Sequence, residues 1–378
     1  MVRMSARPVS RVAIVLPPTA PVADALTDAL AAALFAHGVQ VTRHVRGASV
    51  DGGVRADVAL WWPDPDGHVP VVDRARVHAR VHAALLDGAP RDPSALATFD
   101  AVCVVHEALL ESARLALAQA GVADGHVVHV RLPLSPSVAR DVAKARHHVS
   151  GHAVVLVDVC DAFERDIERV MIQLALVGAP HVRVLHVPHD EKARARAREV
   201  AERHGVDAWL TSGPNALTGA LVACDLFVGR PTTSTLLFAA LHGVATVWLE
   251  GSGDARPPVE SALVAARTVS TVDGVLHLAA VLERRLADRA GIDVEGTLLR
   301  AALVGEARPF IEVLGQLREH QSVPRGHLAW EAIGPTAGAN KPAPVVVDAR
   351  GADSEIERAA RIEDALRRLK ERVKEGEA

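Results

Sequence analysis

The chain reads as an α/β protein of two successive domains, each a parallel sheet covered by helices on both faces. Three observations predict this. Short Val-rich strands alternate with Ala-, Leu- and Arg-rich helices nearly throughout, and βα alternation means parallel strands joined by helical crossovers. Stretches such as VVLVDV and DLFVG are apolar without interruption, as strands covered on both faces must be. The pattern also runs twice, broken near residues 144–151 by the polar, His-rich KARHHVSGH. At 378 residues there is room for two ordinary cores. The expected architecture is therefore two tandem Rossmann-like domains.

In the first half, Val and Ile between two prolines and a basic start predict a core strand over 11–16, and an Ala/Leu repeat predicts a helix over 22–35. Strands are expected at 38–45, 57–62 and 68–73. The Ala- and Leu-containing VHARVHAALL predicts a helix over 77–86. A strand at 100–106, a helix at 107–120 and a strand at 126–132 complete this half. In the second half, strands are expected at 153–159, 182–187, 207–210, 225–229, 244–249 and 268–270. Helices at 162–177, 190–204, 215–223, 234–242 and 272–286 separate them.

Beyond about residue 290 the pattern turns helical, over 297–304 and 309–320. The predicted boundaries are a first domain at 1–147, a second at 148–290 and a helical return segment at 291–333. A Pro/Gly-rich flexible linker follows at 334–353 and an amphipathic helix at 354–378. That last helix opens on a capping box, Ser354 with Glu357, and carries supportive pairs such as Glu357 with Arg361 and Glu363 with Arg367. Ala359, Ile362, Leu366, Leu369 and Val373 recur at spacings of three and four, which suits a short coiled coil, a protein-docking helix, or a helix folded back on its own domain.

Bulk composition excludes several classes. Net charge is −4, so no basic field exists for nucleic acid. Aromatics make up 3% and Tyr is absent, leaving few stacking platforms. Cys103, Cys160 and Cys224 are widely spaced and odd in number, which predicts reduced thiols and a cytoplasmic protein. The N-terminal apolar run is too short for a signal peptide, and no run approaches membrane-spanning length. G-x-S-x-G, P-loop and G-x-G-x-x-G motifs are absent, which disfavours α/β-hydrolase, NTPase and ordinary NAD-enzyme chemistry. His78 and His82 would share one face of the expected 77–86 helix, but no third ligand stands at a matching spacing, and no metal is expected.

The most informative stretch is residues 223–254, ACDLFVGRPTTSTLLFAALHGVATVWLEGSGD. A strand leads into Arg230-Pro-Thr-Thr-Ser-Thr, then a helix, a Gly-bounded strand and a polar exit loop. A helix opening on Thr232, Thr233, Ser234 and Thr235 offers backbone N–H groups and hydroxyls at its positive end, which suits a phosphate or diphosphate. Thr and Ser are also ordinary N-caps. Arg230 could pair a phosphate, and Glu250, Gly251, Ser252 and Asp254 follow the next strand, where sugar hydroxyls could be held.

On these residues the chain resembles the glycosyltransferase-B fold of nucleotide-sugar-dependent glycosyltransferases, over roughly residues 11–287. FDAVCVVHEALLESARLALAQAGVADGHVVHVRLPLS looks like that fold's exit from its first domain. CDLFVGRPTTSTLLFAALHGVATVWLEG is similar to its donor-side unit, and residues 229–243 fit the cell-wall GlcNAc-transferase version in length and pattern. The resemblance implies a donor diphosphate on the Arg230–Thr235 turn and sugar hydroxyls at Glu250, Gly251, Ser252 and Asp254. It implies an acceptor on the first domain and no cofactor beyond the nucleotide-sugar substrate. The family's donor-ribose Glu falls at Phe238, the usual Pro after the helix at Ala245, and the second-domain loop DVCDAFERD is acidic. Inverting transfer needs a base at a strand end, and Asp73, ending the expected 68–73 strand, is the candidate. The alternative expectation is a non-catalytic relative assembling through residues 354–378.

Overall fold

The structure, a computed structural model, describes residues 9–18, 20–47, 53–64, 67–122, 126–251 and 256–320. The expected linker and the 354–378 helix lie outside the described residues.

The first half contains β1 (Arg11–Leu16), α1 (Pro21–Phe35), β2 (Gln40–Val45), β3 (Val54–Trp61), β4 (Val77–Leu86), β5 (Ala101–Val104), α2 (Leu110–Gln119) and β6 (Val127–His129). Its strands form one parallel sheet in the order β2-β1-β3-β4-β5-β6. The short β7 (Leu132–Pro133) and α3 (Arg140–Arg146) lead onward.

The second half contains β8 (Ala153–Asp158), α4 (Phe163–Leu176), β9 (His181–Val187), α5 (Glu191–His204), β10 (Trp209–Ser212), α6 (Pro214–Ala223), β11 (Leu226–Gly229), α7 (Thr233–Leu241), β12 (Ala245–Leu249), α8 (Pro258–Ala265), β13 (Ser270–Val272) and α9 (Leu278–Ala287). Its sheet is also parallel, ordered β10-β9-β8-β11-β12-β13. Strand order reverses between β8 and β11, the switch point where such sheets bind ligands. Then α10 (Arg289–Leu303), β14 (Val304–Gly305) and α11 (Ala307–His320) return to the first half. β14 pairs with β7, α11 packs on β3, β4 and β7, and Arg318 lies 4.0 Å from Asp57.

The expected two-sheet α/β architecture is present, with one substantial correction. Residues 77–86 are the strand β4, not a helix, and the strand expected at 68–73 is absent, those residues being coil. Ala and Leu favour a helix in isolation, but β4 lies between β3 and β5, and every residue from Val81 to Leu86 is buried. Coverage on both faces outweighs local propensity. His78 and His82 are therefore four strand residues apart, about 13 Å by strand rise, too far to share an ion. The sequence also left α3 and α8 unassigned.

The halves meet through helices. α1 packs against α6 and α7 of the second half, and α10 packs against α7 and β12. Gly296 on α10 lies directly over the Gly243 carbonyl, where a β-carbon would overlap it. Between the sheets, Lys144 of α3 donates to both carboxylate oxygens of Asp225, at 2.7 and 2.5 Å, and to the His152 carbonyl at 3.1 Å. The stretch read as a joint is thus anchored to the second sheet. Among the described residues, no helix is long and apolar enough to cross a membrane.

Candidate functional site at the carboxyl ends of the second sheet

Parallel pairing brings the carboxyl ends of β8, β9, β11 and β12 to one edge. Asp158 and His186 are register partners there. Gly229, which ends β11, pairs with Trp248; a β-carbon on it would stand 3.0 Å from Asp158 Cβ. Arg230 follows, its Nε donating to the Leu249 carbonyl at 3.1 Å. Its guanidinium lies against Gly251, where a β-carbon would overlap it. Arg230 lines two adjoining cavities. One, of about 20 Å³, is otherwise bounded by Asp158, Asp161 and Asp166 among others. The larger, of about 500 Å³, is also lined by Cys160, Asp161, Glu164, Arg165 and Asp190. Carboxylates outnumber cations around both.

The α7 turn has the expected form but its hydroxyls have internal partners. Thr232 is the N-cap, accepting from Thr235 N at 3.3 Å, and its hydroxyl meets that of Thr235 at 3.0 Å. Thr233 Oγ1 donates to Glu260 Oε1 at 2.9 Å. Ser234 Oγ donates to Asp87 Oδ2, which also accepts from Trp62 Nε1 at 3.3 Å. Burial pushes the Asp87 carboxyl above its ordinary range. Burial first, and the negative Asp87 nearby, do the same to Glu260, which is 1% exposed and whose Oε2 is buried without a hydrogen-bond partner.

The other expected site residues fall in different places. Glu250 pairs with Arg256, and Ser252 and Asp254 lie outside the described residues. Phe238 is 4% exposed within α7, its ring 4.9 Å from that of His242. Asp73 precedes β4 at the amino-terminal edge of the first sheet, exposed, accepting from Ala75 N at 3.1 Å and Arg76 N at 3.2 Å. It is a turn cap a full strand away from the edge where Asp87 meets Ser234, because its expected strand is coil and the following segment is the strand instead.

Sequence reasoning missed Asp87 and Glu260, whose neighbours come from distant segments. It also missed a trio with metal-ligand spacing. His186 Nδ1 lies 3.0 Å from Asp158 Oδ1 and 3.3 Å from Cys160 Sγ, and the three ligand atoms all lie within 4.8 Å of one another.

No protein-family model matches the chain. No curated protein matches it. Solved structures do. A glycosyltransferase from Rickettsia africae ESF-5 superposes with a TM-score of 0.51 at 7% identity, covering 83% of this chain and 99% of its own. This is the glycosyltransferase-B fold. AviGT4, a glycosyltransferase involved in avilamycin A biosynthesis, is similar at a TM-score of 0.49 and 15% identity, covering 82% of this chain and 98% of its own. MurG from Acinetobacter baumannii is similar at 0.45 and 11%, covering 82% and 99%. At 7% identity the likeness to the Rickettsia structure shows the fold alone, and activity has to be argued from this chain's residues.

Proposed function

We propose that the protein is a glycosyltransferase that takes a nucleotide-sugar in the cleft beside Arg230 and passes the sugar to an acceptor approaching from the first sheet. The observation that carries this reading is the position of Arg230, at the switch point of the second sheet and lining a cavity of about 500 Å³, a size suited to a small ligand. A leaving diphosphate would gain charge neutralisation from Arg230 and from the positive end of α7. Sugar hydroxyls would meet Glu250, Gly251, Ser252 and Asp254. Cys103, Cys160 and Cys224 are free thiols, which suits the cytoplasm.

A second reading is favoured by Glu260 and Asp87, which accept from the Thr233 and Ser234 hydroxyls that a phosphate would use. With the buried Phe238 at the position where the resemblance implies a ribose-binding Glu, they support a non-catalytic relative, for which residues 354–378 are the proposed assembly segment.

Thermal-shift measurements with UDP, GDP, ADP, TDP, CMP and their sugar conjugates separate the two. A ligand at 100 times its Kd stabilises by about 2.7 kcal/mol, several degrees for domains of this size. A selective shift that Arg230→Ala abolishes supports the transferase. No shift with any nucleotide, in folded protein, favours the non-catalytic reading.

A further inference from the structure

We propose that Asp158, Cys160 and His186 form a Zn²⁺ site with one coordination position open to the large cavity. The proposal does not depend on sugar transfer, and it departs from the expectation of a metal-free protein.

Backbone architecture presents the three groups together. Asp158 and His186 are paired residues at the carboxyl ends of the adjacent strands β8 and β9. Cys160 opens the turn after β8, and its N–H donates to Asp158 Oδ1 at 3.1 Å. None of these positions depends on a long surface side chain.

The hydrogen bonding of His186 indicates what the trio lacks. Its Nε2 faces the Gly213 carbonyl at 3.3 Å. A carbonyl only accepts, so Nε2 carries the hydrogen. With Nε2 engaged there, Nδ1 faces a carboxylate oxygen and a sulfur, both electron-rich. A cation bound by Nδ1, Oδ1 and Sγ satisfies all three, and the Nε2–H bond to a carbonyl is the outer-shell contact that usually orients a metal-bound His.

Two of the three ligand–ligand distances agree with a small ion, and the third lies within 4.8 Å. Zn²⁺ ligand bonds of about 2.0–2.1 Å to nitrogen, about 2.0–2.2 Å to oxygen and about 2.3 Å to sulfur give tetrahedral edges of roughly 3.3–3.6 Å. The observed 3.0 and 3.3 Å edges need to open by only a few tenths of an ångström. A mixed nitrogen, oxygen and sulfur set selects Zn²⁺ over Mg²⁺ or Ca²⁺. Three protein ligands leave a fourth position, as in catalytic rather than structural zinc sites. Cys160 lines the 500 Å³ cavity together with Arg230, so an anionic oxygen of a ligand there could complete the shell.

The test uses metal-stripped full-length protein titrated with Zn²⁺ against a chromophoric chelator, and with Co²⁺ as a spectroscopic probe. One equivalent should bind, and Co²⁺ should produce a thiolate-to-metal charge-transfer absorption. Cys160→Ala should remove that absorption and weaken Zn²⁺ by more than about 100-fold, beyond the loss typical of outer-shell partners. Asp158→Asn should weaken it too, and Cys103→Ala should leave binding intact. Circular dichroism verifies that each variant is folded. A folded wild type without the absorption, or Zn²⁺ affinity unchanged in Cys160→Ala, would overturn the assignment and leave His186 and Asp158 as an ordinary hydrogen-bonded pair.

Discussion

Ser234, in the first turn of α7, donates to Asp87, the residue that follows β4, across 147 positions of sequence. A hydroxyl read from sequence as a phosphate donor is thus committed to a carboxylate from the other sheet. Asp87 Oδ2 accepts from both Ser234 and Trp62.

An amide at position 87 keeps that acceptor and removes a charge that burial disfavours. Because the folded-state pKa of Asp87 is raised, its contribution to stability is full at low pH and falls as pH rises through that pKa. Asp87→Asn should therefore be at least as stable as wild type at pH 7. Asp87→Ala, which leaves two donors without their acceptor, should lose about 1–3 kcal/mol. Urea denaturation of the two variants measures the difference, and equal losses would mean the charge itself is required.

His82 gives the opposite dependence. Burial first, then the charge of Arg74, lowers its pKa to about 4, and its Nδ1 accepts from Trp61 Nε1 at 3.2 Å. The unfolded chain takes up a proton near the ordinary pKa of about 6.5 while the fold resists it. The stability that neutral His82 contributes is whole above about pH 6.5 and is lost as pH falls toward 4. His82→Gln keeps an acceptor for Trp61 without a titrating group. Its unfolding free energy should fall less steeply across this window, by up to about 1.4 kcal/mol per pH unit. Parallel slopes for the two proteins would refute this.

Two glycine substitutions should have opposite signs. At Gly296 a β-carbon meets the Gly243 backbone carbonyl, so Gly296→Ala should cost about 1–3 kcal/mol through overpacking between α10 and the end of α7. At Gly219, within α6, nothing lies within 4 Å of a built β-carbon, so Gly219→Ala should stabilise by about 0.4–1 kcal/mol through the unfolded state. Thermal midpoints of the pair provide the comparison.

Lys144 and Asp225 are largely enclosed, with side chains 12% and 14% exposed, and Asp225 also accepts from Val154 N at 2.8 Å. Lys144→Met should cost about 1.5–3 kcal/mol, the scale of hydrogen bonds to a charged group. Arg140, 3.8 Å from Asp225, should recover part of that loss, so Arg140→Met combined with Lys144→Met should be more than additive. A double-mutant cycle in denaturant checks this.

Legibility followed the range of the interactions. The 153–187 and 225–249 units were readable because doubly buried strands are continuous in Val, Leu and Phe, and the α7 cap was readable because Thr232 and Thr235 are local to each other. Strand β4 was misread because VHARVHAALL has helix-favouring residues and acquires its strand partners only from β3 and β5. That error carried Asp73 into the candidate site and kept Asp87 out of it.

The sequence by itself determined the alternation of elements, two parallel sheets and the turn that opens α7, because periodicity and capping are written in neighbouring residues. Tertiary structure alone decided which side chains share the carboxyl edge. Asp158 and Cys160 meet His186 only when β8 and β9 pair in register. Ser234 meets Asp87 only when the second domain packs against the first. Such contacts join segments far apart in the chain, and their geometry comes from sheet order and packing, which no local pattern encodes.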